Sequence, residues 1–134
     1  MPSLLGREAG SMSPEDRLDR LGLELPDLPP LPVGNFANAV RIGQVLYISG
    51  QGPVTSSGGL MTGKVGLDVD IASAYAHARL AGLNILAVAR QQTGSLSAIR
   101  RVIKLFGMVN AAPDFAEHPK VINGCSDLFT EVFG

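Results

Sequence analysis

Arg41 to Pro53 reads R-I-G-Q-V-L-Y-I-S-G-Q-G-P. Side chains on a strand alternate between faces, so Val45, Tyr47 and Ser49 line one side while Leu46 and Ile48 line the other. Ile42-Gly43-Gln44-Val45 has the form of a tight hairpin turn, because Gly43 can take the positive φ that such turns need. The strand then runs straight into Ser49-Gly50-Gln51. A small hydroxyl and a flexible glycine at the end of a buried strand are how a sheet opens onto a pocket.

Working outward from that hairpin, three regions separate. Residues 1–12 lack hydrophobic periodicity and read as a flexible leader. Residues 13–33 form a short helix followed by a connector. Ser13 is placed as N-cap, Pro14 at the first helical position, Asp16 as the acid of a capping box, and Gly22 as the stop. Leu18 and Leu21 make a narrow apolar stripe between them. Pro26, Pro29, Pro30 and Pro32 then hold the chain extended.

Residues 34–134 are the compact domain. Asn38 to Ile42 and Val45 to Gln51 pair as the hairpin, and Gly52 to Leu67 is a glycine-rich loop. Asp68 or Asp70 caps a long helix through about Thr93, which Gly94 ends. On it Ile71, Ala74, Ala78, Ala81, Ile85 and Ala89 share a face, and so many alanines suggest close approach to a sheet. Ile99 to Asn110 reads as a long strand. Ala111-Ala112-Pro113 turns the chain, Asp114 and Glu117 have capping-box spacing, and Pro119 separates the first turn or restarts the helix. Ile122, Cys125, Phe129 and Val132 then form an apolar stripe, closed by Gly134 at the C-cap position.

The elements do not balance. Packed helices lie about 8–10 Å apart and strands about 4.8 Å apart, so two helices cover about four strands. Three strands are legible. Either a partner chain supplies the rest or the natural chain continues past Gly134, and the expectation is the second.

Composition narrows the classes. The chain has 134 residues, 46% hydrophobic and 17% charged, which describes one globular domain with a thin charged surface. That thinness favours an oligomer. Eleven basic and twelve acidic residues leave a net charge of −1, so there is no electrostatic footprint for nucleic acid. One cysteine allows no intramolecular disulfide, no apolar run approaches the roughly 20 residues of a membrane span, and no signal peptide is evident. The expected setting is the cytoplasm, with neither nucleic acid nor membrane as partner.

Several chemical motifs fail on inspection. Gly58 to Val65 follows a phosphate-loop spacing but has Val65 where the Mg²⁺-binding hydroxyl belongs, and no helix starts at Lys64. His77 and His118 lack metal-ligand spacing, and Cys125 falls on an apolar stripe as a structural thiol. Phe36 in G-N-F-A-N-A-V, Ser49 at the strand end and Asn123 in V-I-N-G-C-S-D-L are left. Taken singly they read as edge packing, a strand cap and a helix-surface amide.

In sequence they read differently. The order G-N-F-A-N-A-V, V-L-Y-I-S-G-Q, G-K-V-G, the A-R-L-A-x-L-N-I-L helix, V-I-K-L-F-G-M-V-N and the V-I-N-G-C-S-D-L-F helix resembles the YjgF/RidA (Rid) family, also labelled L-PSP endoribonuclease-like. The likeness covers about residues 33–134. It implies an α+β, chorismate-mutase-like fold, a mixed sheet with two helices on one face, whose last strands lie beyond Gly134. It further implies a homotrimer with ligand clefts between subunits, hydrolysis of enamines and imines of small 2-keto acids, and no metal or organic cofactor.

Carried over by position, Ser49 and Gly50 wall the substrate cleft and Asn123 contributes from the last helix. Phe36 occupies a position that is tyrosine in the deaminases, so the ring is kept and the hydroxyl lost. That departure points to a branch whose substrate is not 2-aminoacrylate. The family's carboxylate-binding arginine and acidic group follow the last helix, so the catalytic residues are expected beyond Gly134. The functional expectation is a Rid-type imine deaminase; the alternative is a non-catalytic binder of small carboxylated metabolites in the same clefts. The charge balance disfavours an endoribonuclease.

Overall fold

The computed structural model of the chain describes residues 12–134. The flexible leader expected over residues 1–12 therefore falls, apart from Met12, outside the described residues. Helix α1 spans Pro14–Leu21 and has the expected ends. Ser13 Oγ accepts from the Asp16 N–H at 3.1 Å, the Asp16 carboxylate accepts from the Ser13 N–H at 3.2 Å, and Gly22 closes the helix at φ 66°. Leu18 enters the core, whereas Leu21 stays 43% exposed, so the stripe is a single residue wide.

Strands β1 (Ala39–Ile42) and β2 (Val45–Ile48) pair antiparallel with Ile42 opposite Val45. Gly43 sits at φ 59° in the intervening turn, as its lack of a Cβ permits. Leu46 and Ile48 face the helices and pack on the main core. Val40, Ile42 and Tyr47 on the opposite face are 53%, 66% and 60% exposed.

Helix α2 (Ile71–Thr93) is capped by Asp70, which accepts from the Ser73 N–H at 2.7 Å, and ends at Gly94. Helix α3 (His118–Phe133) packs along it. Tyr75 bonds Asp127 and Arg79 bonds Glu131, so contacts advance together along both helices and the two run parallel. Two glycines make the seam. A Cβ on Gly82 would meet Cys125 Sγ at 3.0 Å and Leu128 at 2.9 Å, and one on Gly124 would strike the Tyr75 carbonyl oxygen. The alanine-rich α2 was expected to approach a sheet closely; its closest approach is to α3, because both seam residues lack a side chain.

Leu86, Leu96, Leu128 and Val132 are fully buried in the main core, each contributing about 1.5–3 kcal/mol by removal from water. A second, smaller cluster gathers Val65, Ala74 and Val121. Among the described helices, α2 alone is long and apolar enough to cross a membrane by length and composition, which corrects the reading that no such run exists. Its Leu86, Ala87, Val88 and Ala89 are instead buried in the domain.

Three further expectations change. The α+β class and the helices on one side of the hairpin stand, but Ile99 to Asn110 is not a strand, and the sheet among the described residues has two strands. Among the described residues the segment has no neighbour to complete a ladder; its end joins Val65, through Val65 N–H to Asn110 O and Ala112 N–H to Val65 O, both at 2.9 Å. Ile99 and Leu105 still face the core, while Val102, Phe106 and Met108 are 38%, 74% and 85% exposed. The Asp114–Glu117 capping box does not form. Glu117 is the N-cap, but its side chain makes no capping bond and accepts instead from Lys120 Nζ at 2.6 Å, and Pro119 lies in the first turn of the helix. The glycine-rich loop is partly ordered by a bridge between Val54 and Leu60.

Candidate functional site

Beyond Ile48 the two strands stay together without regular pairing. Ser49 N–H donates to Asn38 O at 2.9 Å, and Ser49 Oγ donates to Ala37 O at 2.6 Å. The hydroxyl proton is thereby committed to a carbonyl, and no base is bonded to it. Ser49 can accept a hydrogen bond from a ligand; it is not set up as a nucleophile.

The same contacts bring the Phe36 segment alongside. Phe36 immediately precedes Ala37, its N–H donates to Gly34 O at 2.9 Å, and its ring lies against Gly34 while staying 43% exposed. Gln51 Nε2 donates to Asn38 Oδ1 and to Ser49 O, each at 3.3 Å, and Asn38 Nδ2 donates to Pro30 O at 2.8 Å. Gly50 projects from this braced corner, exposed, with open space where a side chain would be.

Asn123 stands apart. It is exposed on α3, between Ile122, which covers Gly107, and the seam residue Gly124. No hydrogen bond among the described residues joins it to the corner. Phe36, Ser49 and Gly50 are thus brought together at one corner of the chain, and Asn123 is presented from a different element. Gly124 beside it has a structural reason: only glycine lets α3 approach the Tyr75 carbonyl.

Sequence reasoning missed Asn38, Gln51 and Asn84. Asn84 is 2% exposed on α2 and donates to both Gly52 O and Val54 O at 3.0 Å. The available signal was an amide inside the apolar run L-N-I-L, because a buried amide requires partners.

The corner holds no titratable side chain, so it can orient a ligand but cannot by itself move a proton. Shifted groups lie elsewhere. Burial pushes the Cys125 thiol up to about 11. The hydrogen bond to Asp127, followed by desolvation, raises Tyr75. The Ser73 backbone N–H lowers Asp70. Among the described residues no group of His, Cys, Asp and Glu could hold a metal ion. A polar groove lies between α1, the connector and Arg90, and no corner residue lines it.

Comparison with known proteins agrees with this architecture. The family model described as "YjgF/chorismate_mutase-like, putative endoribonuclease" matches residues 15–134. The chain belongs to the YjgF family. Protein TCP17 of Trypanosoma cruzi is 38% identical over 117 residues, 87% of this chain and 72% of that protein. A Shewanella oneidensis crystal structure, described as that of a "putative endoribonuclease", superposes with a TM-score of 0.86 at 40% identity, covering 92% of this chain and 81% of that one. The Agrobacterium tumefaciens protein Atu1372, described as of unknown function, gives a TM-score of 0.78 at 44% identity over 97% of this chain and 80% of its own. The family match begins at Glu15 and so takes in α1 as well as the compact domain.

Proposed function

We propose that this YjgF-family chain is a Rid-type protein that binds small carboxylated imines and hydrolyses them to 2-keto acids. The observation that carries the reading is the Ser49–Gly50 corner, pinned to Ala37–Asn38 and open to solvent beside an uncovered apolar face. In the reaction, water adds to the C=N carbon, the carbinolamine C–N bond breaks, and ammonia leaves as the C=O forms. An enamine first tautomerises to the imine. The corner supplies hydrogen-bond acceptors and an apolar ring that hold and orient the substrate.

A homotrimer in the cytoplasm completes the proposal. The exposed Val40, Ile42, Tyr47, Phe106 and Met108 give one side of the protomer an apolar surface that a second copy of the chain would cover. The clefts then form where neighbouring subunits meet, and Asn123 is offered to such a cleft from α3. No metal, organic cofactor, nucleic acid or membrane enters the scheme.

A second reading, binding without turnover, is favoured by the absence of any titratable group at the corner and by the missing hydroxyl at Phe36. The experiment measures ammonia and keto acid released from 2-aminoacrylate and its homologues by the protein with whatever sequence follows Gly134 in its gene. Release above the buffer rate supports hydrolysis. Binding of 2-ketobutyrate by calorimetry without turnover supports the second reading, and neither signal rejects both. RNA cleavage is disfavoured because a net charge of −1 gives the chain no overall basic footprint for a phosphate backbone.

A further inference from the structure

We infer that Asn84, the buried amide of α2, is a positioning residue for the ligand corner, acting through the carbonyls of Gly52 and Val54. The inference rests on the reading of Ser49–Gly50 as a ligand wall. Asn84 is the one buried polar side chain among the described residues. Packing alone does not account for it, since an apolar residue of similar volume fills such a site without the cost of burying an amide. What the amide adds is direction. Its two N–H bonds reach two acceptors two residues apart, each at 3.0 Å, so they fix both the place and the orientation of that stretch.

The corner is therefore braced from both flanks. On one side Ser49 is held through its N–H to Asn38 O and through its hydroxyl to Ala37 O. On the other, Asn84 holds Gly52 and Val54 to the rigid helix behind them. Gln51 crosses between, bonded to Asn38. Gly50 lies between these fixed points, exposed and bonded to none of the described residues. Its backbone is held in place without being engaged. That is a preorganised contact surface, and loosening either brace lets it move at the expense of ligand affinity. Asn84 itself lies behind the loop and does not touch the ligand.

The test compares the wild-type protein with Asn84→Leu and Asn84→Ser, the serine being too short to span to both carbonyls. Val132→Ala is the stability control, because Val132 is fully buried on α3 in the main core. Two readouts are taken at matched stability: the dissociation constant for 2-ketobutyrate by calorimetry, and amide exchange at Val54 and Thr55. Either Asn84 variant is expected to weaken 2-ketobutyrate binding about tenfold and to speed exchange at those two amides, with Val132→Ala doing neither. Faster exchange with unchanged affinity in a protein whose wild type binds 2-ketobutyrate rejects the positioning role. Equal behaviour of the Asn84 variants and Val132→Ala rejects the brace. If the wild type does not bind 2-ketobutyrate, the ligand reading is what fails, and the exchange at Val54 and Thr55 still decides the brace.

Discussion

The two sides of the hairpin layer differ as sharply as a core and a surface can. On the helix side, α2 and α3 meet at Gly82 and Gly124 so closely that neither position has room for a methyl group. Leu86, Leu96, Leu128 and Val132 are sealed there. On the other side, Val40, Ile42 and Tyr47 of the hairpin and Phe106 and Met108 of the extended segment stand more than half exposed. Helix hydrogen bonds are internal to each helix, so the helix pair is complete within one chain. A sheet is completed only by neighbours, and segment 99–110 has none among the described residues. One side of the domain is sealed within the chain and the other is left exposed.

Truncating the helix side should have the largest effect. Leu128→Ala opens a cavity at a fully buried position and is expected to cost about 2–5 kcal/mol, read by denaturant unfolding. Gly124→Ala comes next. Alanine gains up to about 1 kcal/mol in helix propensity, but its Cβ strikes the Tyr75 carbonyl, for a net loss of about 1–3 kcal/mol and a lower Tm. A rise in stability on either substitution would undo the account of the seam.

The buried thiol probes the same core by pH. The Cys125 value is raised by burial from 9.0 to about 11, so its neutral form contributes fully below pH 9. That contribution is lost as pH rises from about 9 to about 11, because the unfolded chain ionises first. Unfolding free energy should fall across that window, Cys125→Ala should flatten the fall, and a thiol reagent at pH 8 should label the native protein far more slowly than the unfolded one.

Smaller effects belong to the surface. Arg79→Ala breaks the 2.8 Å pair with Glu131, which is partly exposed, and is expected to cost under about 1 kcal/mol and less at high salt. Met108→Glu should alter the fold of the protomer least of all, within about 0.5 kcal/mol, since Met108 is 85% exposed. Its effect should fall on assembly instead. Light scattering is expected to show a smaller mass than wild type with an unchanged far-UV spectrum, and an unchanged mass would mean that this face is not where copies meet.

The contrast also explains which features were legible beforehand. The caps at Ser13–Asp16 and Asp70, the stops at Gly22 and Gly94 and the turn at Gly43 are local, and each depends on a few adjacent residues. All were read at the observed residue except the cap of α2, which the sequence left between Asp68 and Asp70. The Asp114–Glu117 box has the right spacing and still fails, because Pro119 restarts the helix later. Segment 99–110 has strand composition, but a strand needs a partner that its own residues cannot supply.

The candidate site divides in the same way. Ser49, Gly50 and Phe36 were singled out through the hairpin and the ordered motifs around it, and YjgF membership was legible in that order. Asn84 was passed over because its role joins positions about thirty residues away, Gly52 and Val54, to the back of a helix.

By itself the sequence determined the three helices with most of their ends, the hairpin turn and the family, since these follow from backbone preference and from the periodicity and order of side chains. Only the tertiary structure decided that α2 and α3 run parallel with glycines at their seam, that Asn84 braces the corner, and that one apolar face is left uncovered. Those depend on which groups meet across long stretches of chain, where packing space and hydrogen-bond satisfaction, rather than local propensity, set the outcome.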